Sequence, residues 1–161
     1  MLTQLVGLPG LMQLGSVGTS TTWSTSLSMA EISRGLLDTS VVIDHDLIDA
    51  DRLPDESAIA AVTLAELAAG PHATADESER ARRQDRLQWA ASTWDALPFD
   101  TDAARAYGRV FAAVKASGRT HRNRLADLLI VSTAVANELA IYTRNPSDLE
   151  ALEKIVDIVA I

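Results

Sequence analysis

The segment Gly35-Leu36-Leu37-Asp38-Thr39-Ser40-Val41-Val42-Ile43 sets an aspartate and two hydroxyls inside an otherwise apolar run. A short run of leucine, valine and isoleucine reads as a strand of a parallel sheet covered on both faces. Burying an ionised carboxylate in such a place is costly unless something compensates the charge. The conflict is resolved if Asp38 is presented at the carboxyl edge of the sheet, in the crevice where open α/β folds bind ligands. Asp38 is therefore the first candidate functional residue.

From Gly35 onward, strand-like and helix-like stretches alternate. The pattern predicts a strand over 35–41, a short helix over 43–50 and, after Pro54-Asp55-Glu56, a β-tending run over 57–62. Thr63 is expected to open a helix that stops at Gly70-Pro71. A charged helix is expected over 75–96, a strand-like link over 97–100 and an amphipathic helix over 102–117. A helix over 124–138, a strand over 139–143, a short helix from Asn145-Pro146 and a strand over 155–161 complete the pattern. This alternation predicts a three-layer α/β/α sandwich on a mostly parallel sheet, in one domain over 35–161.

Residues 1–34 have a different composition. They are rich in Gly, Ser and Thr, carry only Glu31 and Arg34 as charges, and have no basic region ahead of an apolar core. They are expected to be a flexible or non-native extension, a disordered leader with the true start near Met29. No apolar run approaches the roughly 20 residues of a membrane-spanning helix.

Cysteine is absent, which excludes disulfides and thiolate zinc sites, and the three histidines lie far apart. Any metal would be an oxygen-preferring one held by carboxylates. The net charge of -8 is unfavourable for a nucleic-acid partner, yet arginines cluster at 80–86 and at 119–124. Arginine suits bidentate phosphate contacts. The 80–86 group reads better as a solvated helix face with pairs such as Glu79–Arg83; Arg119, Arg122 and Arg124 fit either reading.

Three further acids belong at the same rim if the strands share one sheet. Each has a purely structural explanation when taken alone. Thr63-Leu64-Ala65-Glu66 fits a capping box. Asp127 falls in the first turn of its helix, where the macrodipole favours a carboxylate. Asn145-Pro146-Ser147-Asp148 is a regular helix start. Taken together with Asp38, they form a set that one crevice cannot hold without raised pKa values or a cation. Mg²⁺ or Mn²⁺ on carboxylates, with positions left for water and a phosphate oxygen, is suited to phosphodiester hydrolysis.

Four segments carry a family resemblance: Leu37-Asp38-Thr39-Ser40-Val41-Val42-Ile43-Asp44, Thr63-Leu64-Ala65-Glu66-Leu67, Arg124-Leu125-Ala126-Asp127-Leu128-Leu129-Ile130 and Thr143-Arg144-Asn145-Pro146-Ser147-Asp148-Leu149. In this order and spacing they resemble the signatures of PIN-domain ribonucleases, above all the VapC-type toxins of toxin–antitoxin pairs. The resemblance implies a PIN-like fold and a cytoplasmic, Mg²⁺- or Mn²⁺-dependent endoribonuclease. Asp38 and Asp127 would be the principal metal ligands, with Glu66 and Asp148 completing the catalytic cluster. Ser40, Thr143 and Asn145 would orient ligands, waters or the scissile phosphate. Arg119, Arg122, Arg124 and Arg144 are candidates for the cationic rim that meets RNA.

A cognate antitoxin that blocks the crevice, looped tRNA, rRNA or mRNA as substrate, and a homodimer are also implied by the family. The apolar residues of 43–53 and 64–69 are candidate antitoxin surfaces. Whether Glu66 or Asp148 accepts the proton stays open, and Asp102 is expected to serve only its own helix. Three other readings compete with this one. A receiver-like phosphoacceptor needs an acidic pair before the aspartate of strand one and a late lysine at a strand end, whereas position 37 is leucine and Lys154 precedes the last strand. A haloacid-type phosphatase needs an aspartate where Ser40 stands. A catalytically silent PIN-like interaction module would not need intact acids at all four positions.

Overall fold

The computed structural model describes residues 33–118 and 124–161. Residues 1–32 of the leader expected over 1–34, and Arg119 and Arg122 of the arginine loop, lie outside the described residues, while Arg34 belongs to the first strand. Four strands form one parallel sheet: β1 Arg34–Leu37, β2 Glu56–Ile59, β3 Ala140–Thr143 and β4 Ile158–Ala160, in the order β2-β1-β3-β4. Leu37 pairs with Ile59 on one side and with Tyr142 on the other. The chain leaves β1 toward β2 and leaves β3 toward β4. The seam between β1 and β3 is therefore the switch point of the sheet, where a crevice opens at the carboxyl ends.

Helices cover both faces, as the alternating pattern predicts. Leu36 and Ile141 pack with Val110 and Val114 of α4 (Thr101–Ala116) and with Leu128, Val131 and Ala134 of α5 (Leu125–Ala136). On the other face, Leu37, Ile59 and Tyr142 pack with Val41 and Val42 of α1 (Thr39–Ile43), Leu67 of α2 (Ala61–Ala69) and Ala90 of α3 (Glu77–Thr93). Successive strand residues point to opposite faces, so Leu36 and Leu37 enter different cores. A short α6 (Pro146–Leu149) follows β3.

The first strand is shorter than its composition suggests. It ends at Leu37, and Asp38 is already the N-cap residue of α1, its carbonyl accepting from the N–H groups of Val41 at 3.0 Å and Val42 at 3.2 Å. Val41 and Val42 are fully buried, as a strand reading requires, but they are buried from a helix. A short apolar run buried on all sides carries no period, so strand and helix look alike in it. The helix expected over 43–50 is replaced by two tight turns, His45–Leu47 and Ala50–Arg52.

The second strand likewise ends early, at Ile59, and α2 opens at Ala61 rather than at Thr63. The expected last strand begins only at Ile158. The strand-like link at 97–100 is a single bridge between Leu97 and Ala60. Asp102 stands in the first turn of α4, paired with Arg105 at 2.8 Å, while Asp100 caps the helix.

Gly35 is required by close packing. A Cβ there would run into the ring of Tyr142 on the neighbouring strand. The polar residues Ser132 and Thr133 of α5 are tolerated in the core because their hydroxyls donate to carbonyls one turn back, Leu128 at 2.6 Å and Leu129 at 3.0 Å.

Candidate active site at the carboxyl edge of the sheet

Asp38 stands at the end of β1, beside the end of β3, and its backbone N–H continues the ladder to the Tyr142 carbonyl at 2.9 Å. Its carboxylate is held by two hydroxyls. Ser40 Oγ donates to Oδ2 at 2.7 Å, and Thr143 Oγ1 donates to the same oxygen at 2.9 Å. Each hydroxyl in turn accepts a backbone N–H from the turn after β3. Arg144 donates to Ser40 Oγ at 3.2 Å and Asn145 to Thr143 Oγ1 at 3.1 Å. The two hydrogen-bond chains fix the donor direction of both hydroxyls, so the turn positions the aspartate through them.

Asp127 enters from the first turn of α5, across a small pocket of about 40 Å³ that it shares with Asp38, Thr143, Asn145 and Asp148. That volume accommodates roughly one water or one ion. The pKa of Asp127 is pushed up to about 6, first by burial and then by the charges of Asp38 and Glu66; Arg124 opposes the shift and Asp148 adds to it. The three other acids named from the sequence therefore all act on Asp127.

Glu66 reaches this edge from the second turn of α2. The capping-box alternative fails because Ala60, not Thr63, occupies the N-cap position. Glu66 instead accepts from Thr39 Oγ1 at 2.5 Å, and the Thr39 hydroxyl lies 3.4 Å from that of the fully buried Thr63. Asp148, in the first turn of α6, is bound by Arg124, whose Nη2 lies 2.6 Å from Oδ1 while Nη1 donates to its backbone carbonyl at 2.9 Å. Asn145 takes the N-cap position of α6 without a side-chain capping bond.

Glu66 and Asp148 are thus held by Thr39 and Arg124. As the side chains stand, no three of the His, Asp or Glu groups among the described residues gather closely enough to hold one ion. The chemistry of the donor set nevertheless fits a hard divalent cation, since it offers carboxylate oxygens and a raised pKa that positive charge would relieve.

Two contributors were not singled out in the sequence. Thr39 links α1 to Glu66, and its signal was its place in the Asp38-Thr39-Ser40 triplet. Asp44 pairs with Arg144 at 2.9 Å, for which the sequence offered no signal, because 100 residues separate the partners. Two candidate rim cations, Arg124 and Arg144, are consequently each matched by an acid.

Residues 35–154 match the family model described as PIN domain. The chain is 38% identical to ribonuclease VapC5 of Mycobacterium tuberculosis (strain ATCC 25618 / H37Rv) over 122 residues, covering 74% of this chain and 87% of that protein. It is 34% identical to ribonuclease VapC8 of Mycobacterium tuberculosis (strain CDC 1551 / Oshkosh), covering 67% of this chain and 96% of the relative. The crystal structure of VapBC-5 from Mycobacterium tuberculosis, a member of the VapBC family of toxin–antitoxin systems, superposes with a TM-score of 0.71 at 37% identity. That match covers 80% of this chain and 99% of the matched one. Fold, acids and similarity agree: the chain belongs to the PIN-domain family, among the VapC ribonucleases.

Proposed function

We propose that this protein is the toxin of a toxin–antitoxin pair, an endoribonuclease that hydrolyses RNA phosphodiester bonds with Mg²⁺ or Mn²⁺. The observation that carries the reading is the acid cluster at the β1–β3 seam, with Asp127 half-buried and its pKa raised to about 6 beside Asp38 and Glu66. Similarity to the VapC5 and VapC8 ribonucleases supports the substrate class.

Asp38 and Asp127 would hold the cation, with Glu66 and Asp148 completing the cluster directly or through water. When bound, the cation would lower the pKa of water and neutralise charge on the phosphate. Ser40 and Thr143 both donate to Oδ2 of Asp38 and would fix its carboxylate for a ligand. Glu66, held by Thr39, and Asp148, held by Arg124, are both candidate proton acceptors. Water attacks phosphorus, the bond to the 3′ oxygen breaks, and a 3′-hydroxyl and a 5′-phosphate result. Single-stranded or looped RNA suits an acidic crevice, since a flexed backbone can enter it.

A cognate antitoxin is the natural partner, given the VapBC-5 likeness. Ile43 and Leu47, 50% and 79% exposed, supply apolar surface for it. A second copy of the chain is the other partner we propose. Purified protein should cut total RNA into discrete fragments with Mg²⁺ or Mn²⁺, and cutting should stop with EDTA or with Asp38→Ala. Metal-independent cutting, or cutting that survives Asp38→Ala, would refute the assignment. No cutting and no metal binding would leave the silent interaction module.

A further inference from the structure

The turn after β3 sets where the two hydroxyls on Asp38 stand, because each accepts one backbone N–H from that turn. Those bonds, from Arg144 to Ser40 Oγ at 3.2 Å and from Asn145 to Thr143 Oγ1 at 3.1 Å, lie at the long end of the hydrogen-bond range. Arg144 supplies a second and stronger anchor. Its Nη1 lies 2.9 Å from Oδ2 of Asp44, a charge-assisted contact.

Both anchors of Arg144 fall on α1. Ser40 is in the first turn of that helix and Asp44 is its C-cap, with the Asp44 N–H donating to the Ser40 carbonyl at 3.3 Å. Residues four apart stand one above the other on one helix face. Arg144 therefore spans one turn of α1. Its backbone meets the residue whose hydroxyl holds Asp38, and its guanidinium meets the residue one turn further on. Arg124 ties the chain beyond this turn at Asp148, which leaves the stretch beside Asp38 to Arg144.

The Arg144 and Asp44 side chains are 39% and 38% exposed, and ion pairs in water contribute little to stability. What this pair supplies is position. We propose that Arg144 and Asp44 form a clamp that keeps the β3–α6 turn on α1, so that Ser40 and Thr143 hold the Asp38 carboxylate oriented for a cation. Both are positioning residues, acting on Asp38 through the two hydroxyls. This rests on the cation site of the ribonuclease reading, and it replaces the sequence reading of Arg144 as a cation that meets RNA.

The test is calorimetric titration of Mn²⁺ into the full-length protein, as wild type, Arg144→Gln, Asp44→Asn, the double variant and Arg144→Lys. Arg105→Gln, which breaks an exposed pair on α4, is the control. Loss of either partner should weaken Mn²⁺ binding about 10-fold, the lower end for losing a group that orients a ligand. The double variant should be no weaker than the single ones, because both remove one interaction. Arg144→Lys keeps a charge for Asp44 and should recover most of the affinity, and Arg105→Gln should change nothing. RNA cleavage should fall in parallel at low Mn²⁺ and return toward wild type at saturating Mn²⁺. Binding of fluorescein-labelled oligouridylate in EDTA should keep its salt dependence in every variant.

Unchanged Mn²⁺ affinity in both single variants, or losses that add in the double variant, would overturn the clamp and leave the ribonuclease standing. A salt slope flattened by about 0.7 in Arg144→Gln, with Mn²⁺ affinity intact in Asp44→Asn, would give Arg144 to RNA and overturn the clamp as well. Mn²⁺ binding that follows the clamp in a protein that cuts no RNA would keep the clamp and sink the ribonuclease. A wild type that neither binds Mn²⁺ nor cuts RNA would remove both.

Discussion

At the amino edge of the sheet, Arg34 of β1 meets Glu56 of β2 at 3.0 Å, in water, and Asp55 accepts from both the N–H and the hydroxyl of Ser33. At the carboxyl edge of the same strands, Asp38, Glu66 and Asp148 each act on the charge of Asp127. The Ser33 bonds hold the Asp55 carboxyl below the usual range, whereas burial and neighbouring acids lift Asp127 to about 6. At one rim hydrogen bonds favour the charged carboxylate, and at the other burial and neighbouring acids disfavour it at Asp127. A local cost of this kind is expected where a function depends on it, which supports the proposal that this rim is the active site.

The largest expected effect comes from removing one carboxylate at the carboxyl rim. Asp38→Asn should reduce RNA cleavage by at least about 100-fold, the scale of losing one catalytic group, while thermal melting shows an intact fold. Removing the hydroxyls that hold Asp38 should cost less. Ser40→Ala combined with Thr143→Val is expected to lower Mn²⁺ affinity or activity by about 10–100-fold, and titration of cleavage rate with Mn²⁺ would read it.

Packing between the rims is tested by Gly35→Ala, whose new methyl meets the Tyr142 ring. Overpacking of this kind costs about 1–3 kcal/mol, to be checked by urea denaturation; an unchanged midpoint would show that the ring yields freely.

The rims should also differ in the sign of their pH dependence. The pKa of Asp127 is about 6 when folded, against 3.8 ordinarily. The folded state then binds more protons between these values, so without divalent cations its contribution falls as pH rises from about 4 to about 6. Asp55, lowered on folding, contributes stability above its ordinary pKa and loses it as pH falls through the folded value. Denaturation at stepped pH should show the first decline flattened in Asp127→Asn and kept in Asp55→Asn. The smallest effect belongs to the amino rim. Arg34→Ala should change stability by no more than about 1 kcal/mol, as exposed pairs do, with cleavage rates equal to wild type.

Much of this contrast was legible beforehand. Asp38 stood out because a charge inside an apolar run demands an edge, and parallel strands place their carboxyl ends together. The local details were less legible. The run through Val41 and Val42 continues into a helix without a change of composition. Thr63 resembles a cap although it is a buried hydroxyl beneath Thr39. The ion pairs Arg124–Asp148 and Arg144–Asp44 join residues 24 and 100 positions apart, which no local pattern encodes. The α3 arginines were read from their spacing to Glu79, and Arg82 and Arg83 do share that carboxylate.

The central claim is that the acid group at the carboxyl edge is a cation site. It is tested most directly by thermal melting at pH 7.5 with and without saturating Mn²⁺, for the wild type and for Asp38→Asn/Asp127→Asn. A ligand that binds only the folded state raises the melting temperature. A clear rise for the wild type and none for the double variant is the expected result; equal shifts in both, or no shift in the wild type, would contradict the account.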